Sequence, residues 1–185
     1  EGFVPTNFLP TGWTGVNAGN QNVFWNRSAT TGHNSSESAY FDNFNNNVPA
    51  DRDEMRTMGF NFTGYTSLSF TFDVAYAKNS ATRTDTLEIL ASTDCGATWT
   101  TIYLKGGSTL ATVPNQSTIF TPTNGQWRND AVNISAYGGQ NDVIFSFKNH
   151  NHHGNFLWLD NINISGTVNA APVAAFTTQQ NACEN

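Results

Sequence analysis

The carboxylates of this 185-residue chain are the groups whose placement most invites chemistry. In "FLWLDNINIS", residues 156–165, strand alternation puts Phe156, Trp158, Ile162 and Ile164 on one face, with Asp160 in the same row. A one-residue slip of register would turn the whole apolar row outward with it. A buried carboxylate without partners is costly or takes up a proton. Asp160 therefore requires donors, a cation or a local distortion of the strand.

Other reactive groups assemble into less. His150, His152 and His153 crowd into "NHNHHGN", and imidazoles so spaced could hold a transition metal. A zinc site wants further ligands at fixed spacing, and none stands out, so a polar loop tip with solvated histidines is the plainer reading. There is no HExxH, GxSxG, P-loop or CxxC, and no convincing pairing of a nucleophile with a base. A glycosidase needs two carboxylates facing a cleft. With 14 acidic residues some pair always looks plausible, and no cleft signature singles one out. The chain reads as no enzyme, although its parent protein can be a secreted hydrolase or protease.

Hydrophobic residues make up 38% and charged residues 12%, the latter about half the usual share. Asn, Thr, Ser and Gly supply the polarity instead, a habit of extracellular β-proteins. A net charge of −6 and a pI near 4.9 argue against nucleic acid or anionic lipid as partners and suit a cation. No apolar run approaches the ~20 residues of a membrane helix. No signal peptide opens the sequence, which reads as a segment of something larger. Cys95 and Cys183 make neither a disulfide framework nor a zinc site, and whether they pair is open.

The elements that must position these groups are strands. "LSFTFDVAYA" aligns Leu68, Phe70, Phe72, Val74 and Tyr76 on one face; "DTLEILAS" turns Leu87, Ile89 and Ala91 inward and Glu88 outward. Between such stretches lie "NAGNQN", "NFNNNVPAD", "KGGSTLATVPNQS" and "YGGQN". Short strands with this punctuation predict an all-β fold, a two-sheet antiparallel β-sandwich with jelly-roll topology. The module spans 1–168. Residues 169–185 are predicted to be a linker and the start of another domain.

An ordered series of segments, "EGF…FLPTGW", "SAYFDNF", "SFTFDVAYA", "LEILASTDCGATWTTIY", "QWRNDAVNISAYGGQNDVIFSFKN" and "LWLDNINI", resembles the MAM-like jelly-roll modules of Bacteroidetes secreted proteins. This is the group called cleaved-adhesin or choice-of-anchor J domains. The tail "APVAAFTTQQNACEN" resembles the first strand of a PKD domain. The resemblance implies a non-catalytic, secreted or cell-surface module, exported by the type IX route beside other domains of the same chain.

It also implies a structural calcium, whose ligands fall on Glu1, Asp42 and Asp160, with Asp53 of "DRDEM" a fourth candidate. Calcium wants six to eight hard oxygens, and the Asn-rich loop beside Asp42 can add amide and carbonyl oxygens. The alternative is an Asp160 satisfied by backbone or Arg donors. Adhesin relatives often carry an acidic "DxDGDG" loop after "GW". Here "VNAGNQN" stands in its place without a carboxylate, so no ion is expected of that loop.

Polysaccharide or glycoprotein is the expected ligand. Trp25, Tyr40, Phe44, Tyr137 and Trp158 are large aromatics near polar loops that could form a sugar platform, core packing being the plainer reading of Trp158, and His152 could flank one. The competing functions are a structural or adhesive spacer and a protein-substrate exosite attached to a secreted metalloprotease.

Overall fold

The structure is a computed structural model that describes residues 1–4, 8–19, 22–48 and 51–169. The PKD-like tail and Cys183 lie outside the described residues.

Among the described residues ten strands are divided between two layers. The first sheet holds β1 (Thr14–Val16), β4 (Arg52–Arg56), β9 (Ile144–His150), β6 (Thr86–Ser92) and β7 (Thr100–Gly106), in that order. The second holds β2 (Asn26–Ser28), β3 (Ser38–Asp42), β10 (Phe156–Val168), β5 (Tyr65–Tyr76) and β8 (Arg128–Asn133). The strand pairs are antiparallel, and sequential strands repeatedly cross between layers, as jelly-roll topology requires. No helix among the described residues is long and apolar enough to cross a membrane.

The inner faces follow the sequence alternation. Leu68, Phe70, Phe72, Val74 and Tyr76 of β5 meet Leu87, Ile89 and Ala91 of β6 and Phe145 and Phe147 of β9 in one core. Phe70 lies 5.0 Å from Phe145 between ring centroids, so the two sheets interdigitate through aromatic rings.

β10 departs from the expected single row. Asp160 pairs with Asp73, but Asn163 pairs with Thr71, so three residues of β10 advance against two of β5. Asn161 takes φ 48° at this bulge, a conformation Asn tolerates better than most residues. Before the bulge Leu157 and Leu159 face the core, and Phe156, Trp158 and Asp160 face away from it. After the bulge Ile162 enters the core. The apolar row containing Asp160 is therefore two half-rows on opposite sides of the sheet.

Glu1 lies against that bulge. Its backbone nitrogen donates to the Ile162 carbonyl, and Ile162 N–H donates to the Glu1 carbonyl at 2.9 Å. The opening stretch and the last strand are thus held side by side by the chain itself.

Candidate functional site

The outer face of the second sheet gathers what the sequence scatters. Tyr40 of β3 stands beside Trp158 of β10, which stands beside Ala75 of β5. Small Ala75 and Ala77 leave room for large rings above the sheet. Tyr40 stacks on Phe156 at 5.5 Å and 25°, and Trp158 lies 5.1 Å from Tyr40. Trp158 is covered by Phe120 and donates its indole N–H to the Phe120 carbonyl at 3.1 Å. Tyr40 and Phe156 remain half-exposed and form the open end of the strip.

One buried amide holds the loop that carries Phe120. Asn155 accepts from Phe120 N–H at 2.9 Å and donates to the carbonyls of Gln116 and Thr118. Its own N–H goes to Asp85. Asp85, fully buried, also accepts N–H groups from His152 and Gly154 and the Tyr76 hydroxyl. Burial pushes the Asp85 carboxyl up against these four donors. His152 thus contributes a backbone donor to a buried cage, with its ring exposed.

Beyond Trp158 the strip turns polar. Asp160 Oδ2 accepts from His33 N–H at 2.8 Å and Ser35 hydroxyl at 3.2 Å, and Oδ1 from Asn161 N–H at 2.7 Å. Desolvation still holds its carboxyl above the usual range, with the Asp73 charge adding to that. Asp73, directly across, takes the His33 ring at 2.7 Å and the amides of Asn129 and Asn161 at 2.7 and 2.8 Å. Burial pushes Asp73 upward, but these hydrogen bonds together outweigh it and the net shift is downward. The His33 ring stacks over Trp127 at 5.9 Å and 17°, and Trp127 keeps a buried indole N–H without a partner. Asn34 and Asn124, hydrogen-bonded to each other, are exposed at this rim.

Of the other anticipated metal residues, Glu1 lies against the same bulge as Asp160, while Asp42 and Asp53 lie apart. Phe156 pairs with Asp42, so Asp42 sits four positions along the strand from Asp160, about 13 Å. One ion with bonds of about 2.3–2.6 Å cannot take both carboxylates. Asp42 instead accepts the backbone and side-chain N–H groups of Asn45. The Glu1 carboxylate accepts from Phe3 N–H at 2.6 Å. Asp53 belongs to the opposite sheet, where it is fully buried. Among the described residues no three His, Cys, Asp or Glu side chains gather as for a metal.

Trp25 is a core residue, edge-on to Phe41, and donates its indole N–H to the Asp53 carbonyl at 3.1 Å. Tyr137 packs edge-on against Phe145 away from the strip, and Phe44 is half-buried in the loop after β3. Of the anticipated aromatics, Tyr40 and Trp158 lie on the strip, Trp158 buried within it. Sequence reading passed over Phe156 as a contact residue, and over Phe120, Trp127, His33 and Asp73. "TFDVAYA" did carry a signal, since Asp73 alternates with Phe72 and Val74 and must face the other way. A separate cleft of about 460 Å³ opens at the far end of the sandwich, where Trp13, Phe60, Phe62, Leu68 and Phe70 make it chiefly apolar.

No family model and no curated protein sequence matches this chain. Solved structures do resemble it. The K1 cleaved adhesin domain of Lys-gingipain from Porphyromonas gingivalis W83 superposes with a TM-score of 0.63 at 17% identity, over 90% of this chain and 96% of that one. The carbohydrate-binding module TmCBM61, solved with β-1,4-galactotriose, gives 0.55 at 14% identity, over 90% and 94%. CBM22-1–GH10 modules of a Clostridium thermocellum xylanase, solved with xylohexaose, give 0.52 at 14% identity, over 84% of this chain and 26% of that one. The chain has the β-sandwich fold shared by these adhesin and carbohydrate-binding modules.

Proposed function

We propose that this chain is a non-catalytic, extracellular glycan-binding module, and that it binds polysaccharide or glycoprotein sugar on the outer face of the second sheet. The half-exposed Tyr40–Phe156 stack carries this reading. Pyranose rings present flat C–H faces to aromatic rings and hydroxyls to amides and carboxylates, and this strip offers both kinds of partner. Trp158, 5.1 Å from Tyr40 and 5.9 Å from Phe156, backs both rings and is itself held by the Phe120 carbonyl. Asp42, Asn45 and Asn26 border one side, while Asn34 and Asn124 lie toward the His33 end. The fold likeness to sugar-bound modules supports the reading, and the likeness to adhesin domains agrees with a surface or secreted setting.

The carboxylates of the strip are occupied as acceptors, with Asp160 and Asp73 buried under the 33–35 loop, which suits binding rather than acid–base work. Affinity electrophoresis through gels of β-galactan, xylan, β-glucan and mucin tests the reading. Retardation by at least one glycan, abolished in Tyr40→Ala and Phe156→Ala proteins that still fold, is expected. Unretarded migration in every gel sinks the proposal and leaves the spacer reading.

A further inference from the structure

We propose that the apolar cleft at the far end of the sandwich is the seat of the chain's own continuation, residues 170–176, which turn back on leaving β10 and dock there. The cleft is remote from the aromatic strip, and its occupant does not depend on the glycan reading.

Place favours this occupant. One wall of the cleft is made by Leu68 and Phe70 of β5 with Ile162 and Ile164 of β10, and the stretch after β4 adds Phe60 and Phe62. β10 ends at Val168, yet Asn169 is still fastened to the same edge. Its N–H donates to the Gly64 carbonyl at 2.7 Å, and its side-chain oxygen takes the Thr66 hydroxyl at 3.2 Å. Residue 170 therefore starts beside Tyr65, which lines the cleft. Four further residues can reach about 13 Å, the run of the 162–166 wall.

The rim points the same way. Met58 and Tyr65 line the cleft yet stay 48% and 38% exposed, and Val168, across the ladder from Tyr65, is 63% exposed. Exposed apolar side chains gathered round a concave apolar cleft of about 460 Å³ mark a contact surface.

The segment itself has the matching chemistry. Residues 170–176 read "AAPVAAF", seven apolar residues in a row, where a solvated spacer calls for Gly, Ser or charge. Val173 and Phe176 carry most of the area to be buried. Pro172 brings no backbone N–H, so one donor fewer needs a partner in an apolar setting. Asn61, Asn163 and Ser165 in the cleft lining offer polar side chains to the remaining backbone groups. Docking of this stretch fixes the direction in which the following chain leaves the module.

The two methionines of the chain make the test direct. Met58 lines the cleft and Met55 is buried in the core, so their labelled methyl groups report on cleft and core separately in one NMR spectrum. In the 185-residue chain the Met58 methyl should show NOEs to Val173 or Phe176 that persist on dilution. Ending the chain after Asn169, or making Val173→Asp together with Phe176→Asp, should abolish those NOEs and shift the Met58 resonance. Both changes lie beyond β10, and an unmoved Met55 resonance verifies that the fold is kept. The variants should also bind anilinonaphthalene sulfonate that the parent chain excludes. Identical Met58 resonances in parent and variants overturn the docking. NOEs lost on dilution overturn it too and give the cleft to a second copy of the chain. Dye binding as strong in the parent as in the variants leaves the cleft to an outside ligand and equally sinks the proposal.

Discussion

Asp160 and Asp73 stand directly opposite each other on β10 and β5, on the side of the sheet away from the core, and His33 bonds to both of them. Its backbone N–H takes Asp160 and its ring takes Asp73. The arrangement fastens the 33–35 loop onto the sheet beside the aromatic strip. Asp160 is therefore a strut, and its three donors are what the chain provides in answer to its burial.

Removing that strut should be visible in stability. Asp160→Ala leaves His33 N–H and Asn161 N–H without their acceptor, while the Ser35 hydroxyl keeps the Glu37 carbonyl, and a loss of about 2 kcal/mol in urea unfolding is expected. A loss below about 0.5 kcal/mol would show that the loop is held by Asp73 alone.

The Asp85 cage leaves no room at Gly154. A Cβ there would lie 2.1 Å from Asp85 Oδ2 and 2.6 Å from the Tyr76 hydroxyl. Gly154→Ala should destabilise by roughly 1–3 kcal/mol, and Asp85→Ala by at least as much through its orphaned N–H groups. Because both act on one contact, a double-mutant cycle should give strong coupling. Additive effects would separate Gly154 from the cage.

On the aromatic strip, position decides the effect. Tyr40→Ala and Phe156→Ala should each lower glycan affinity by about tenfold or more, near 1.4 kcal/mol, with little change in fold. Tyr137→Ala, away from the strip, should leave affinity unchanged while lowering stability through its lost packing on Phe145. Isothermal titration with the retarding glycan compares the three, and an equal loss in Tyr137→Ala would move the site.

Asp94 offers a pH test. Thr98 hydroxyl and N–H at 2.6 and 2.9 Å, then Ser92 hydroxyl at 2.7 Å, bond to its carboxylate and lower its pKa to about 2. The folded value lies below the unfolded one, so its contribution to stability is complete above about pH 4 and disappears as pH falls through about 2. Carboxyl-carbon NMR should place the midpoint near 2, and Thr98→Ala should raise it. A midpoint near the ordinary aspartate value of about 3.9 would mean the turn does not hold its bonds in solution.

By itself the sequence determined the layers. Alternation in "LSFTFDVAYA" and "DTLEILAS" is a statement about burial, because only a strand with one face against another sheet sustains it, and Leu68 through Tyr76 and Leu87 through Ala91 line the core accordingly. Alternation is silent on pairing and on interruptions. It could not place the bulge that sends Ile162 inward while Asp160 stays outside. That choice depends on the pairing of β10 with β5 and on Glu1 docking against Ile162, 161 residues away. Nor could it bring His33, Asp73 and Asp160 together. Hydrogen bonds between residues so distant in the chain exist only once the strands that carry them have been set side by side.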